Sequence, residues 1–212
     1  MGLVGRAPSW EEDATGNALN WNRWDHAMSQ FKICAFSGSL RQKSFNTALL
    51  HAAQQVAPAG VSIEIAEIGD LPLYNEDLRV DGSFPASVQR VRDQIAKSDA
   101  LLFASPEYNY SMSGPLKNAI DWVSRGPNQP CDGKAFAVIG VATGLLGTAR
   151  GQWHLRQSMV SLNGFGVNTP QIYINNAAQK FDAELRYTDE AGRDLLRQLI
   201  EALVKLGTKL KA

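Results

Sequence analysis

Apolar runs and alternating segments recur at regular intervals along the chain. Continuous apolar runs occur at FKICAF (31–36), ALLFAS (100–105) and KAFAVIGVA (134–142). VSIEIAEI (61–68) instead alternates apolar and polar residues with period two, as a strand with one more exposed face does. VNTPQIYIN (167–175) is the last such segment. The pattern therefore predicts five β-strands.

Segments with helical spacing of apolar residues follow each of these predicted strands. Two of them carry a proline at their start, where its fixed backbone angle suits a helix. The last has Thr188 as its expected N-cap and acidic residues in its first turn. The five predicted helices are TALLHAAQQVA (47–57), PASVQRVRDQIAKS (85–98), GPLKNAIDWVSR (114–125), RGQWHLRQSMVSLNG (150–164) and the terminal segment 188–210.

This alternation predicts a doubly wound α/β fold. Strands that are apolar on both faces are typical of a parallel sheet covered on both sides. We therefore expect a three-layer sandwich, with a five-stranded parallel sheet between two helical layers, formed by residues 28–212 as one domain. Residues 1–27 hold three of the five tryptophans but no periodic pattern. We expect a non-native or disordered extension there; the alternative is an arm that packs on a neighbouring subunit.

Composition removes several classes of function. The net charge is zero and the pI is about 6.8, so no basic excess favours nucleic acid. No apolar run approaches the roughly 20 residues that span a bilayer, and no secretory signal pattern is present, so we expect a cytoplasmic protein without membrane insertion. The two cysteines form no CxxC motif and the three histidines lack ligand spacing. We expect free thiols and no metal site.

The loop after the first strand, SGSLRQKSFN (37–46), carries an excess of hydrogen-bond donors. Ser39, Ser44 and Asn46 offer hydroxyl and amide groups, Arg41 offers a charge, and the following helix offers free N–H groups at its N-terminus. The alternative, a capped turn with a solvated arginine, explains one polar residue but not the whole set. The loop matches neither GxxxxGK[ST] nor GxGxxG, which disfavours ATP hydrolysis and an ordinary dinucleotide site.

Two further loops follow the third and fourth strands. PEYNYSMSGPLKN (106–118) combines glycine, proline and aromatic residues that suit a planar ring. TGLLGTAR (143–150) carries two glycines that let backbone approach a ligand closely. Each is typical of an ordinary surface loop when taken alone. Because ligands of doubly wound folds bind beyond the carboxyl ends of the strands, the three loops together predict one shared site.

The segments GSLRQKSFN, PEYNYSMSGPLKNAIDWVSR and TGLLGTAR, in this order, resemble the NADPH-dependent FMN reductase family. That family includes flavodoxin-like quinone, chromate and azo-dye reductases. The resemblance extends from residue 31 to about residue 205. It implies a flavodoxin-like fold, bound FMN, and NADPH or NADH as electron donor. It also implies a small-molecule acceptor: a quinone, an azo compound, a metal oxyanion or free flavin.

The resemblance also implies a set of cofactor-binding residues. No side chain is expected to act as a nucleophile or general acid, because the chemistry would take place at N5 of FMN. The implied ligands are Ser39, Arg41, Ser44 and Asn46 for the phosphate, Pro106, Glu107, Tyr108 and Asn109 along the flavin ring, and Thr143 and Gly144 on its other side.

Family members associate as dimers or tetramers, so the resemblance further implies self-association, with Arg125 and Tyr108 near the interface. The chain departs from the family pattern at Ser113, where proline is usual, and we expect a more mobile loop there. Leu145 and Leu146 stand where many relatives have more glycine. We expect this difference to alter the pocket that faces the ring.

Three other functions remain as alternatives. A flavodoxin-type electron carrier would share the fold and FMN, but the neutral chain lacks the acidic docking face of such carriers. A phosphate-ligand sensor on the same scaffold would show no redox activity. A serine hydrolase is disfavoured because Ser37 and Ser39 do not lie in GxSxG.

Overall fold

The computed structural model describes residues 30–211, so the predicted extension 1–27 lies outside the described residues. The strands are β1 (Phe31–Ser37), β2 (Val61–Ala66), β3 (Ala100–Ala104), β4 (Glu107–Tyr108), β5 (Ser111–Met112), β6 (Ala135–Val141), β7 (Phe165–Gly166) and β8 (Ile172–Ile174). The α-helices are α1 (Phe45–Val56), α2 (Ala86–Ala96), α3 (Gly114–Val123), α4 (Ala149–Val160) and α5 (Glu190–Lys211).

The main sheet is parallel and has the order β2-β1-β3-β6-β7, with β8 also paired to β6. This order is the flavodoxin-like one, and it confirms the predicted doubly wound architecture. The predicted last strand 167–175 is wrong in its extent, because β7 and β8 share its place along β6. Pro170 lies between the two strands and has no N–H to give to a ladder, which agrees with the interruption.

The sheet separates two hydrophobic cores. Successive residues of a strand point to opposite faces, so Ile33 and Ala35 belong to the first core, with α1 and α5. Cys34 and Phe36 belong to the second core, with α2, α3 and α4. Both faces of β1, β3 and β6 are therefore buried, which explains why these strands are continuously apolar.

The N-cap of α5 differs from the predicted one. Asp189, not Thr188, caps the helix, since its Oδ1 accepts a hydrogen bond from the Gly192 N–H at 3.2 Å. The Thr188 hydroxyl instead donates to the carbonyl of Lys180 at 3.3 Å. At α2, Pro85 likewise occupies the N-cap position and not the first helical one. Across residues 30–211, no helix has the length and apolar content that crossing a membrane requires.

Candidate functional site

Three loops meet at the carboxyl edge of the sheet: the first loop (38–44), the second loop (105–113) and the third loop (142–148). They enclose a cavity of about 160 Å³. Of the predicted site residues, only Asn109 and Gly144 do not line it. Those that do are Ser39, Arg41, Ser44, Asn46, Pro106, Glu107, Tyr108 and Thr143.

Cavity size does not single out this place. A cavity of about 540 Å³ lies beside Phe84 and Arg92, and one of about 390 Å³ lies beside Lys32 and Glu64. Neither lies at the carboxyl ends of the strands, where doubly wound folds bind ligands. The cavity between the three loops, although smaller, has both the position and the hydrogen-bond donors of a ligand site.

The first loop presents donors that suit a phosphate. Ser44 caps α1, with its Oγ accepting from the Thr47 N–H at 3.2 Å, and the Ser39 hydroxyl lies close to the Arg41 N–H at 3.4 Å. Arg41 is exposed and makes no ion pair within residues 30–211. A guanidinium and a helix N-terminus attract an anion, and serine hydroxyls can donate hydrogen bonds to it. The donor set therefore fits the phosphate of FMN.

Gly38 brings the first and second loops into contact. Its N–H donates to the carbonyl of Ala104 at 2.8 Å. A Cβ at this position would lie 2.8 Å from Ser113 Oγ and 2.9 Å from Pro106 Cδ. Only glycine fits without displacing the second loop. Sequence reasoning did not single out this residue, although its place directly after an apolar strand was a usable signal.

The side chain of Asn46 is bonded to the backbone of β6. Its Nδ2 donates to the Val141 carbonyl at 3.1 Å, and its Oδ1 accepts from the Val141 N–H at 3.0 Å. Asn46 is 4% exposed. Its amide thus connects the first turn of α1 to the last residue of β6, a contact that the predicted role as phosphate ligand did not include.

The second loop contains a hairpin that the sequence reasoning missed. β4 and β5 pair antiparallel, and the turn between them places Asn109 at φ 51° and Tyr110 at φ 66°. Two successive positive φ values match the twist of a two-residue hairpin, and asparagine tolerates them well. The turn leaves Tyr108 and Tyr110 exposed, at 47% and 64%. Asn109 lies at the turn and not in the cavity.

Glu107 connects this hairpin to α4. Its carboxylate accepts from Arg150 Nε at 2.6 Å, from the Arg150 N–H at 2.9 Å and from the Gly151 N–H at 3.0 Å. The side chain is only 5% exposed. A carboxylate at a helix N-terminus is stabilised by the free N–H groups there. Glu107 therefore borders the predicted ring position, while its carboxylate is paired with Arg150 and with the N-terminus of α4.

Gly151 lets α4 approach the hairpin. A Cβ at this position would lie 2.9 Å from the Ser111 carbonyl oxygen and 3.4 Å from Glu107 Cβ. The next turn of α4 adds a contact between His154 Nδ1 and Ser111 Oγ at 3.0 Å. This contact was also missed by sequence reasoning. A glycine inside a predicted helix was the available signal.

Close packing fixes the base of the third loop, and its tip is exposed. A Cβ on Gly140 would lie 2.1 Å from Thr148 Oγ1, and Gly147 has φ +60°. At the tip, Leu145 is 76% exposed and Leu146 59% exposed. The Leu145 carbonyl accepts from Asn175 Nδ2 at 3.0 Å. The two leucines are thus apolar groups at the open end of the loop.

Ser113 is fully buried and caps α3. Its Oγ accepts from the Leu116 N–H at 3.4 Å, a bond that proline could not provide. We expected this position to loosen the loop, but the structure shows it packed against Gly38. Arg125 lies at the far end of α3 from Tyr108, beside the Tyr74 ring. One chain therefore does not bring Arg125 and Tyr108 together.

Metal ligands do not gather near this cleft. In the part of the chain that the structure describes, no group of three or more histidine, cysteine, aspartate or glutamate residues could hold a metal ion. Both cysteines are free and buried.

Comparison with known proteins identifies the family. The model of the NADPH-dependent FMN reductase family matches residues 31–179. An NAD(P)H-dependent FMN reductase from Pseudomonas aeruginosa is 51% identical over 172 residues, which is 81% of this chain and 92% of that protein. An NAD(P)H:quinone oxidoreductase from Solanum tuberosum is 44% identical over 190 residues, 87% of this chain and 97% of that protein.

A solved structure gives the same result. The flavoenzyme NAD(P)H:(acceptor) oxidoreductase FerB from Paracoccus denitrificans is 37% identical and superposes with a TM-score of 0.77, covering 84% of this chain and 98% of its own. The fold, the three loops and these relatives agree, and the chain belongs to the NADPH-dependent FMN reductase family.

Proposed function

We propose that this protein is an NAD(P)H-dependent FMN oxidoreductase that delivers electrons to a small-molecule acceptor. The observation that carries the proposal is a cleft lined both by hydroxyl, amide and guanidinium groups from the first loop and the start of α1 and by residues of the second and third loops. FMN held in this cleft would supply the redox chemistry, which is hydride acceptance from a nicotinamide and electron transfer to the acceptor. The protein supplies binding and orientation.

Each loop has a distinct task in this proposal. Arg41, Ser39 and the N-terminus of α1 hold the phosphate, because they offer a charge, a hydroxyl and free N–H groups. Pro106 and Tyr108 border one side of the flavin ring, and Thr143 borders the other. These ligand roles are predictions from position in the cleft.

A quinone is the acceptor that we propose first. The relative from Solanum tuberosum is named as a quinone oxidoreductase, and FerB as an oxidoreductase with an unspecified acceptor. Tyr108 lines the cleft and is half exposed, and Leu145 and Leu146 are exposed apolar side chains further along the third loop, whose first residues line the same cleft. Such apolar groups suit an apolar ring better than a metal oxyanion. We propose NADPH or NADH as the donor, since the relative from Pseudomonas aeruginosa and FerB are both named for NAD(P)H.

We also propose that the protein works in the cytoplasm as a dimer or tetramer. Two free, buried thiols agree with a reducing compartment. Trp153, Val160 and Phe165 are large apolar side chains exposed on or next to α4, at 58%, 73% and 43%. We propose that these side chains contribute to a subunit interface, because contiguous exposed apolar surface marks interaction sites. Light scattering after size exclusion measures the assembly, and a monomer of about 23 kDa would contradict this part.

The decisive experiment follows flavin colour under anaerobic conditions. We expect the purified protein to bind FMN, and NADPH or NADH to bleach its visible absorbance only when the protein is present. Addition of a quinone should then restore the colour. A protein that takes up no FMN would contradict the proposal. A protein that binds FMN but is bleached by dithionite and not by NAD(P)H would be the electron carrier instead.

A further inference from the structure

β6 extends beyond the end of its neighbour β3. The last residue of β3, Ala104, pairs with Ile139, and the Ser105 N–H then donates to the Ile139 carbonyl at 3.0 Å. Val141 lies two residues further and turns its N–H and carbonyl to the same side. At 3% exposure these groups are screened from water, and an unpaired buried peptide group is costly.

Asn46 completes the pairing that β3 leaves open. Its side-chain amide bonds to both the N–H and the carbonyl of Val141, at 3.0 and 3.1 Å, as a neighbouring peptide group would. Asn46 lies in the first turn of α1, immediately after the cap Ser44 and Phe45. The bond therefore connects the helix that begins at the first loop to the strand that leads into the third loop.

We infer that Asn46 is a positioning residue that sets the spacing between the phosphate end and the ring end of the FMN site. This inference rests on the proposed function. The side chain acts through Val141, which is followed directly by Ala142 and Thr143 in the wall of the cavity. Without the amide, the third loop loses its tie to α1. The rival role is a direct hydrogen bond from Asn46 to the phosphate.

The same arrangement recurs around the cleft. Gly38 joins the first loop to the last residue of β3, which leads into the second loop, and Glu107 joins the second loop to α4. Asn46 joins α1, which follows the first loop, to the end of β6, which precedes the third loop. The three contacts bridge residues far apart in the sequence. They hold the loops in place before any ligand binds, which is the property that preorganised sites require.

The first test needs no ligand. Asn46→Leu keeps the approximate size of the side chain and removes the amide. We expect faster hydrogen exchange at the Val141 N–H and through the third loop, and wild-type exchange there in Arg41→Ala. Asn46→Asp keeps the acceptor for the Val141 N–H, so exchange at that amide should stay slow. This variant also replaces Asn46→Leu in the exchange measurement if Asn46→Leu does not fold. Wild-type exchange at Val141 in a folded Asn46→Leu would overturn the inference.

The second test compares FMN with riboflavin, which has the same ring and no phosphate. We expect Asn46→Leu to raise the dissociation constants of both flavins by a similar factor, about tenfold. Arg41→Ala should weaken FMN binding and leave riboflavin binding unchanged. A loss confined to FMN in Asn46→Leu would overturn the inference in favour of the phosphate contact. Wild-type protein that binds neither flavin would refute the proposed function, while the exchange measurement would still decide whether Asn46 holds the third loop.

Discussion

The charged residues of the cleft are neutralised at one end and left unpaired at the other. Beside the second loop, the Glu107 carboxylate meets Arg150 and the N-terminus of α4. In the first loop, Arg41 and Lys43 are exposed and form no ion pair within residues 30–211. A positive potential therefore remains beside the N-terminus of α1, where the dipole of the helix has the same sign. This end of the cleft should attract a phosphate.

Arg41 should contribute more to FMN affinity than Lys43, because only Arg41 lines the cavity. We expect Arg41→Ala to weaken FMN binding by about 1.5–3 kcal/mol, the range for a hydrogen bond to a charged group. Lys43→Ala is the matched control and should have a clearly smaller effect. Titration of flavin fluorescence at one fixed ionic strength measures both constants. Equal losses in the two variants would point to long-range attraction alone.

The ionisation of Asp99 should make the free energy of unfolding depend on pH. Its burial raises the pKa, but hydrogen bonds from Lys211 and the Lys32 N–H outweigh burial and hold the pKa below the usual 3.8. The lowered pKa means that the carboxylate stabilises the fold at pH above 3.8 and that this contribution is lost as pH falls further.

The variant Asp99→Asn tests this dependence. We expect a lower melting temperature than wild type at neutral pH, with a difference that shrinks as the pH falls below 3.8. Thermal melts over that range measure it. A difference that stays constant with pH would show that the charge of Asp99 plays no part.

Hydrophobic periodicity predicted the long strands and the helices correctly. The strands β1, β3 and β6 were recognisable because both of their faces are buried, and the helices because one face of each is. The hairpin of β4 and β5 was not, since strands of two residues are too short for a period and its turn lacks the Asn-Gly signal. Asp189 and Thr188 are adjacent candidate caps, and only the structure distinguishes them.

Most of the residues that line the site could be predicted from the sequence, but the hydrogen bonds between them could not. Its loops could be located because strand ends follow from the hydrophobic pattern. The bonds of Asn46 to Val141 and of Glu107 to α4 join residues 95 and about 43 positions apart. Such pairs depend on the tertiary packing of several elements, so no local pattern indicates them. Residues that a family motif presents as ligands can therefore also hold the loops of the site together.

The contact between α4 and the hairpin predicts how an alanine at Gly151 changes the stability of the fold. Alanine in place of a helical glycine usually stabilises by up to about 1 kcal/mol. At Gly151 the added methyl group would meet the Ser111 carbonyl at 2.9 Å. Overpacking of this kind costs about 1–3 kcal/mol, so we expect Gly151→Ala to lower stability.

Gly114→Ala is the control, because Gly114 also lies in a helix and a Cβ there meets nothing within 4 Å. We expect that variant to be as stable as wild type or slightly more stable. Urea denaturation measures both free energies of unfolding. A stabilised Gly151→Ala would show that the hairpin moves away easily, and the proposed rigidity of the second loop would then be wrong.

At the scale of the molecule, the parallel sheet keeps its two cores apart, and both thiols lie in the second one. Cys34 is on β1 and Cys131 is in the segment between α3 and β6, yet both pack among residues from α2, α3 and α4. Burial raises the pKa of the Cys34 thiol and of the Cys131 thiol to about 12. The two cysteines are therefore reporters of whether this core opens.

Thiol labelling should follow unfolding of the whole domain. The reactive form is the thiolate, which is scarce at about pH 8 for thiols with such raised pKa values. We expect neither cysteine to react in the native protein and both to react at the same rate as denaturant is added, because one core shields both. Mass spectrometry of pulse-labelled peptides separates the two sites, and Cys34→Ala and Cys131→Ala each leave a single thiol as a check. Rapid labelling of Cys131 alone under native conditions would mean that the segment between α3 and β6 opens independently of the sheet.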